Sequence, residues 1–589
     1  MWRLLNSSVG RVRKSVLPEH SSSLGLAENF NKFFIDKVRN IRINLLQLTC
    51  GPLNEYLTRL EPPPVQSSLN SFSLASESEI RYLLLTKPPK ESPKDVIPQW
   101  LLKKCLNEFL PIVTSMVNIF LCSGLPSHHK HAMVTPLVKH GNLNPNTLSN
   151  YRPVSNLSSL SKIVERIVVS RLTGHLDTNN LYDTHQCAYR RFHSCETALV
   201  SLTDFVYSAA DNGEVTVVVL LDLSAAFDTV DHTLLLDRLK DIGVYDKAHE
   251  WFQCYLSQRS QSVIIGQSHS IAKHISTGVP QGSVLAPVLF SIYMRQLGQL
   301  ISLFKINYKL YADDIQLYIS FKPSQASSIL INLEKCIEVI NSWLIHSMLS
   351  LNTSKSEVFL MGTRQQLKKL PDFHVNIVGS SIRSKSIVRD LGILFDGPLT
   401  FEPHVRQVCR AAFSNLHVIS RISKHLSRSH RLLLIHSLVF SRVEYCCSIL
   451  YGITNQSLTK LERIMLSPMG LVLGRKVSSR VDLSQEMKKL RWLTVRQRIC
   501  HRILMLTHEV LFGRGPKFLA DLLKVQFTTR LLRSSSGHLL EIPFRRSVLG
   551  QRAFSFVAST LWNRLPPSVR CVCKKSKFSD LVFDSLLND

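Results

Sequence analysis

Acidic residues are in short supply: the 589-residue chain holds 43 Asp and Glu against 71 Lys and Arg, for a formal net charge of +28 and a pI near 9.7. A surplus of that size calls for a polyanionic partner, and nucleic acid is the first candidate, although a ribosomal or membrane-surface protein carries similar totals. The deficit is also uneven. Positions 401–589 contain 31 basic and 11 acidic residues, so +20 of the +28 lies in the last third. No run reaches the ~18 consecutive apolar residues that a membrane helix requires, so with 44% hydrophobic residues a soluble globular class without a membrane span is expected. The start, MWRLLNSSVGRVRKS, has no long apolar h-region, which argues against a secretory signal. Its basic, acid-free composition permits a transit peptide, and the preferred reading is the ragged end of a longer ancestral chain. Thirteen cysteines, an odd number without regular spacing, exclude a secreted disulfide framework and read as reduced thiols in an intracellular protein, in the nucleus, the cytoplasm or both. Neither Cys446 with Cys447 nor Cys571 with Cys573 has the second ligand pair that a structural zinc site needs. No internal repeat is present.

At 66.9 kDa the chain exceeds what a single hydrophobic core fills, typically about 250–300 residues, so two to four structural parts are expected. Positions 18–75 mix serine-rich stretches with Pro62, Pro63 and Pro64, which break helix and strand, and read as a linker carrying one helix near Ala27 to Arg42. Ser76 and Glu79 form a capping-box pattern ahead of Ile80, Leu83 and Leu84, where folded structure is expected to begin. Helical spacing follows from Leu101 to Ser123 and again through Ile163, Val164, Ile167 and Val168. The strongest strand signal is Glu214 to Leu223, a β-branched run that delivers Asp222 at its end. A second strand, Phe304 to Tyr311, meets Ala312, Asp313 and Asp314, and Ile315 to Ser320 then alternates, which predicts a hairpin with two acids at its turn. Beyond Phe401 the chain reads as mostly helical and basic, with a polar break near Ser534 to Gly537.

Three carboxylates packed side by side raise each other's pKa, and bound divalent cations relieve the repulsion. Two hard cations held by aspartates about 3.5–4 Å apart activate a 3′-hydroxyl and stabilise a leaving pyrophosphate, so the implied chemistry is nucleotidyl transfer. An Asp–Asp pair at a turn is by itself ordinary turn chemistry. The joint order carries more: Leu221-Asp222-Leu223-Ser224-Ala225-Ala226-Phe227-Asp228, then Gly278-Val279-Pro280-Gln281-Gly282-Ser283, then Tyr311-Ala312-Asp313-Asp314.

In that order and spacing the chain resembles the reverse transcriptases of non-LTR (LINE-type) retrotransposons, whose motifs A, B and C these segments match. The resemblance implies an α+β right-hand polymerase: fingers, a palm with an antiparallel sheet, a helical thumb, and a basic, mostly helical C-terminal region. It implies an RNA-directed DNA polymerase that extends a DNA 3′-hydroxyl with dNTPs on an RNA template, using two Mg²⁺ ions, for which Mn²⁺ can substitute. The parts implied are a linker or N-terminal extension over 1–75, a helical N-terminal segment over 76–120, fingers and palm over 121–396, a thumb over 397–480 and a basic nucleic-acid-binding region over 481–589. Asp222, Asp313 and Asp314 resemble the metal ligands, and Lys355, in a stretch similar to motif D, the proton donor to pyrophosphate. Phe227 resembles the steric gate under the incoming sugar, or is plain core. Gln281 resembles the template and nucleotide contact, with Gly278 and Gly282 permitting close backbone approach. Arg152 and Lys139, in segments similar to the fingers strands, are the implied phosphate contacts, or solvated surface charges. The segments around Trp492 and Trp562 resemble the C-terminal region, whose cations suit the backbones of RNA and target DNA.

Two departures from the family pattern stand out. Ala188 and Phe192 occupy positions where glycine is common, and if φ is positive there the strain is on the order of 1–3 kcal/mol. Complete elements also encode an endonuclease ahead of the polymerase, and residues 1–75 are too few for one, so the chain is expected not to nick its own target and to be a truncated genomic copy or a gene model of one. The alternative function is therefore a catalytically silent nucleic-acid-binding remnant of a retrotransposon reading frame.

Overall fold

The computed structural model describes residues 17–48, 53–86, 92, 93, 95, 97–139, 143–473, 484–526 and 539–588. The polar break expected near Ser534 to Gly537 lies outside them. The chain is a mixture of helix and sheet, and two sheets matter for the site.

The first sheet has strand order β7 (Asn307–Tyr311), β8 (Asp314–Phe321), β3 (Val215–Ser224) and β9 (Ser350–Met361), with every neighbouring pair antiparallel. The unbroken valine run of β3 follows from burial on both faces. Val215, Val217, Val219 and Leu221 enter one core, while Val218 enters a second core on the opposite face with Tyr318, Phe359 and Met361. A strand covered on both sides needs no polar alternation, which is why this segment reads as continuous apolar residues. The strand runs two residues past Asp222, to Ser224.

The second sheet has the order β2 (Tyr151–Asn156), β1 (His131–Val138), β4 (Arg259–Ile265) and β5 (Ser268–His269), with β6 (Lys273–Ile275) also paired to β4. β1 and β4 are parallel and the other pairs antiparallel. One face is covered by the helix Ser23–Gln47, which extends the helix expected within the linker. Its Leu26, Ala27, Phe30 and Phe34 form a core with Ala132, Val134, Tyr151 and Val263. Arg42 fixes the far end, donating to the Asp231 carboxylate at 2.7 Å and to the Thr229 carbonyl at 3.2 Å.

Half of the capping box at Ser76 is realised: the Glu79 amide donates to the Ser76 hydroxyl at 3.2 Å ahead of the helix Glu77–Thr86, while the Glu79 carboxylate accepts from Arg171 at 2.8 Å instead. The helix Leu106–Ser123 is the one helix among the described residues long and apolar enough to cross a membrane by length and composition. It lies in the first core, burying Leu106, Leu110, Val113, Val117 and Phe120.

The residues after 401 are mostly helical. Helices Glu402–Ile422, Asn455–Leu466, Val495–Leu511, Phe554–Arg564 and Lys575–Asn588 close the second core, where Trp492 and Trp562 are buried. This region is bound to the helix Cys195–Asp211 of the sheet layer. Arg502 pairs with buried Glu196 at 2.6 Å, the Ser555 amide donates to Asp204 at 2.7 Å, and the Ser547 hydroxyl donates to Asp211 at 2.7 Å.

Candidate active site

The two acid-bearing segments meet because β3 and β8 are neighbours. Leu221 is opposite Ile315, so the next position on each strand is Asp222 and Asp314, and Asp313 sits in the turn between β7 and β8. Ala312, at φ +58°, makes that turn tight. Asp222 is also where β9 loses its register. Leu220 is opposite Glu357, while Asp222 is opposite Asn352, so β9 spends five steps where β3 spends two. The extra residues bulge out and carry Lys355 to 3.5 Å from Asp222 Oδ2.

The electrostatics follow from this crowding. Burial pushes the Asp314 carboxyl up to about 6, with the charges of Asp313 and Asp222 adding to the shift and Arg152 opposing it. Burial also raises Asp313, with Asp222 adding and its own backbone amide and Arg152 opposing. Asp222 Oδ2 is buried and accepts no hydrogen bond, its close partner being the Lys355 ammonium. A cation set rims the acids. Lys139 is lowered first by burial, then by Lys37, Lys355 and Arg152, with Asp222 pulling the other way. Its ammonium donates to the Ser149 carbonyl at 2.7 Å, and Arg152 is exposed on β2.

As a donor set the three carboxylates suit a hard divalent cation: all ligand atoms are oxygen, one is buried without a hydrogen bond, and Asp314 stays raised by its neighbours' charges despite Arg152. Among the described residues no three His, Cys, Asp or Glu side chains converge closely enough to hold a metal ion as they stand.

The Gly278 to Ser283 loop is strapped to the turn after β3. The Val279 amide donates to the Phe227 carbonyl at 2.8 Å and the Gly278 amide to the Val230 carbonyl at 2.8 Å. Gly278, at φ +82°, lies so close to Asp228 that a Cβ would come within 2.6 Å of its carbonyl oxygen. Gly282, at φ +118°, would place a Cβ 2.4 Å from the Ser155 carbonyl oxygen of β2, and the Ser155 amide donates to the Gln281 carbonyl at 2.8 Å. The loop thus joins the two sheets. Ser283 is not itself helical. Its hydroxyl accepts from the Ala286 amide at 2.9 Å, and the helix runs Ala286–Tyr293. Phe227 is half-buried, its ring stacked on Phe290 at 4.4 Å. Gln281 is held by Asp228, its Nε2 donating to both carboxylate oxygens at 3.0 and 2.9 Å.

Lys37 was not among the sequence-derived candidates. It lies on the helix Ser23–Gln47, is half-buried, and is lowered first by burial, with Asp228 opposing and Lys355 adding. With Asp228, Gln281, Gly278 and Tyr151 it lines a cavity of about 360 Å³ between that helix, β2 and the loop. No spacing signal marks it in the sequence, since its neighbourhood depends on a contact about 190 positions along the chain. Of the two glycine departures, Phe192 has φ +65°, whereas Ala188 does not have positive φ and its neighbour Tyr189 does, at +56°.

The model of the family described as "Reverse transcriptase (RNA-dependent DNA polymerase)" matches residues 138–394. That stretch, a little under half of the chain, is similar to reverse transcriptase domains. The match spans Lys139, Arg152, the three aspartates, the Gly278 to Ser283 loop and Lys355. The "RNA-directed DNA polymerase from mobile element jockey" of Drosophila melanogaster is 27% identical over 369 residues, 62% of this chain and 39% of that protein. The "Probable RNA-directed DNA polymerase from transposon BS" of the same species is 28% identical over 408 residues, 66% of this chain and 43% of that protein. The "Retrovirus-related Pol polyprotein from type-1 retrotransposable element R2" of Popillia japonica is 29% identical over 186 residues, 31% of this chain and 25% of that protein. The chain spans about two fifths of the length of the first two relatives. These relatives bear out the resemblance to non-LTR retrotransposon reverse transcriptases drawn from the motif order.

Proposed function

We propose that the reverse transcriptase domain acts as an RNA-directed DNA polymerase of the LINE type, extending a DNA 3′-hydroxyl with dNTPs on an RNA template. The observation that carries this reading is the neighbour pairing that sets Asp222 beside Asp313 and Asp314 under a rim of Lys139, Arg152, Lys37 and Lys355. In this reading the sheet β7-β8-β3-β9 is the palm, the sheet containing β1, β2 and β4 belongs to the fingers, and the helices from Glu402 onward form the thumb and a basic C-terminal region.

Two Mg²⁺ ions, or Mn²⁺, bound by the three aspartates would lower the barrier to attack by the 3′-hydroxyl and offset charge on the departing pyrophosphate. The Lys355 ammonium, 3.5 Å from Asp222 Oδ2, would be the group that gives a proton to pyrophosphate. Arg152 grips the triphosphate by paired N–H donors, and Lys139 adds a point charge. Phe227, held flat by Phe290, bounds the sugar and disfavours a 2′-hydroxyl, while Gln281 faces the nucleotide and template from the loop. The basic last third holds the phosphate backbones of template RNA and target DNA.

The test is dNTP incorporation on poly(rA)/oligo(dT) with Mg²⁺, comparing the parent with the Asp313→Asn, Asp314→Asn double variant. Incorporation by the parent and its loss in the variant are expected. The strained Phe192 favours a second reading, a catalytically silent nucleic-acid-binding remnant. Salt-sensitive RNA binding by well-folded parent protein, with no incorporation in Mg²⁺ or Mn²⁺, would select it.

A further inference from the structure

Asp228 has no part in the roles assigned above, yet it is the most constrained acid near the site. It lies in the one-turn helix Ala226–Thr229 after β3, and three contacts hold its backbone. Its amide donates to the Ala225 carbonyl at 2.9 Å, its carbonyl accepts from the Thr277 hydroxyl at 3.3 Å, and Gly278 lies so close that only glycine fits. Its carboxylate takes both N–H···O contacts from Gln281 Nε2. Burial pushes this carboxyl up to about 6, and Gln281 and Lys37 are what act against that shift.

A primary amide has two ends of opposite character, and a free glutamine presents either. A carboxylate accepts and cannot donate, so beside Asp228 the amide nitrogen turns inward and the Gln281 carbonyl oxygen is left as the outward group. The Lys37 ammonium, on a helix pinned by the ion pair between Arg42 and Asp231 at 2.7 Å, keeps Asp228 in its accepting form from the other side. Gln281 is thereby fixed in orientation before any substrate enters, which removes an ordering cost from binding.

We propose that Asp228 is a positioning residue that fixes the side-chain amide of Gln281 so that its carbonyl oxygen, an acceptor, faces the incoming nucleotide, with Lys37 of the N-terminal helix as the countercharge. This rests on the polymerase reading of the same site. Its consequence is a preference for partners that donate to that oxygen, such as a base amino group or a sugar hydroxyl.

The test is a double-mutant cycle on the full chain with Asp228→Asn, Gln281→Ala and both together, reading kcat and KM for dTTP on poly(rA)/oligo(dT). Asp228→Asn preserves size and one acceptor but allows the amide pair to reverse. It is expected to raise KM about tenfold with a smaller change in kcat. The double variant is expected to match Gln281→Ala alone, because Asp228 acts through Gln281. Additive losses, or a fall in kcat with KM unchanged, would overturn the proposal. An inactive parent overturns the polymerase reading and this proposal with it, whereas an active parent with additive losses overturns this proposal alone. If Asp228→Asn does not fold, Asp228→Glu, which keeps the charge and moves the acceptor, enters the same cycle with the same expectation of non-additivity.

Discussion

Phe192 sits at φ +65° just ahead of Ser194, which caps the helix Cys195–Asp211, and the Arg191 guanidinium lies over its exposed ring at 4.8 Å. A left-handed conformation costs a residue with a Cβ roughly 1–2 kcal/mol that glycine avoids. Phe192→Gly is therefore expected to stabilise the protein by about 1 kcal/mol, after allowing for the greater freedom of glycine in the unfolded chain. A urea midpoint moving upward at constant m-value is the confirming measurement, and an unchanged or lower midpoint counts against strain at this position. Lys309 poses the opposite case. It is 1% exposed in β7, its ammonium lies 3.4 Å from the Phe518 ring centroid and 3.1 Å from His185 Nδ1, and burial lowers it to about 8. Between about pH 8 and 10.5 the unfolded chain holds the proton that the folded chain has released, so stability rises with pH across that window. Lys309→Met is expected to remove that rise, a difference of about 2–3 kcal/mol at one unit of pKa shift per 1.36 kcal/mol. Stability curves for both proteins from pH 7 to 10 decide it, and parallel curves would place the titration elsewhere.

At the scale of elements, the site depends on where strands and loops cross. Gly282 is the crossing between the loop and β2, and Gly282→Ala drives a Cβ into the Ser155 carbonyl at a φ of +118°. The expected result is a loss of at least about 2 kcal/mol in stability and more than a hundredfold in incorporation, because the loop can no longer hold both sheets. Normal incorporation by a stable Gly282→Ala protein would show that the loop does not join the sheets during catalysis. These crossings also explain what the sequence could and could not reveal. The valine run of β3, the acid-tipped hairpin and the capping pattern at Ser76 are local, so periodicity and residue type were enough to find them. The loop glycines were legible as points of close approach, but their neighbours, Asp228 and Ser155, lie about 50 and 130 positions away. The β9 bulge that delivers Lys355 and the ion pair that pins the N-terminal helix leave no trace in local pattern. The helix expected within the linker is present, but its packing on the β1-β2-β4 sheet and its supply of Lys37 were not legible from local pattern.

For the whole molecule, charge and packing separate. The residues after 401 carry +20 of the net +28, yet several of their cations are spent inside the fold. Arg502 neutralises Glu196, Arg552 donates to the Leu399 and Tyr451 carbonyls, and Arg498 pairs with Glu444. The Arg502–Glu196 pair binds the last third to the sheet layer, and these three cations are not free for a polyanion. The end of the helix Glu402–Ile422 and the turn after it differ, since Arg421, Lys424 and Arg428 are exposed within eight positions and form no salt bridge among the described residues. A cluster of that kind gains by displacing counterions from a nucleic-acid backbone, with log K falling against log salt by about 0.9 per phosphate neutralised on duplex DNA and about 0.7 on a single strand. Replacing all three by alanine is expected to lower the magnitude of that slope by about two to three for an RNA/DNA hybrid while leaving thermal stability unchanged. The decisive measurement is hybrid affinity by anisotropy across a salt series. A reduced slope with unaltered dNTP KM places these cations on the backbone and away from the nucleotide, whereas an unchanged slope moves the binding surface to another face of the last third.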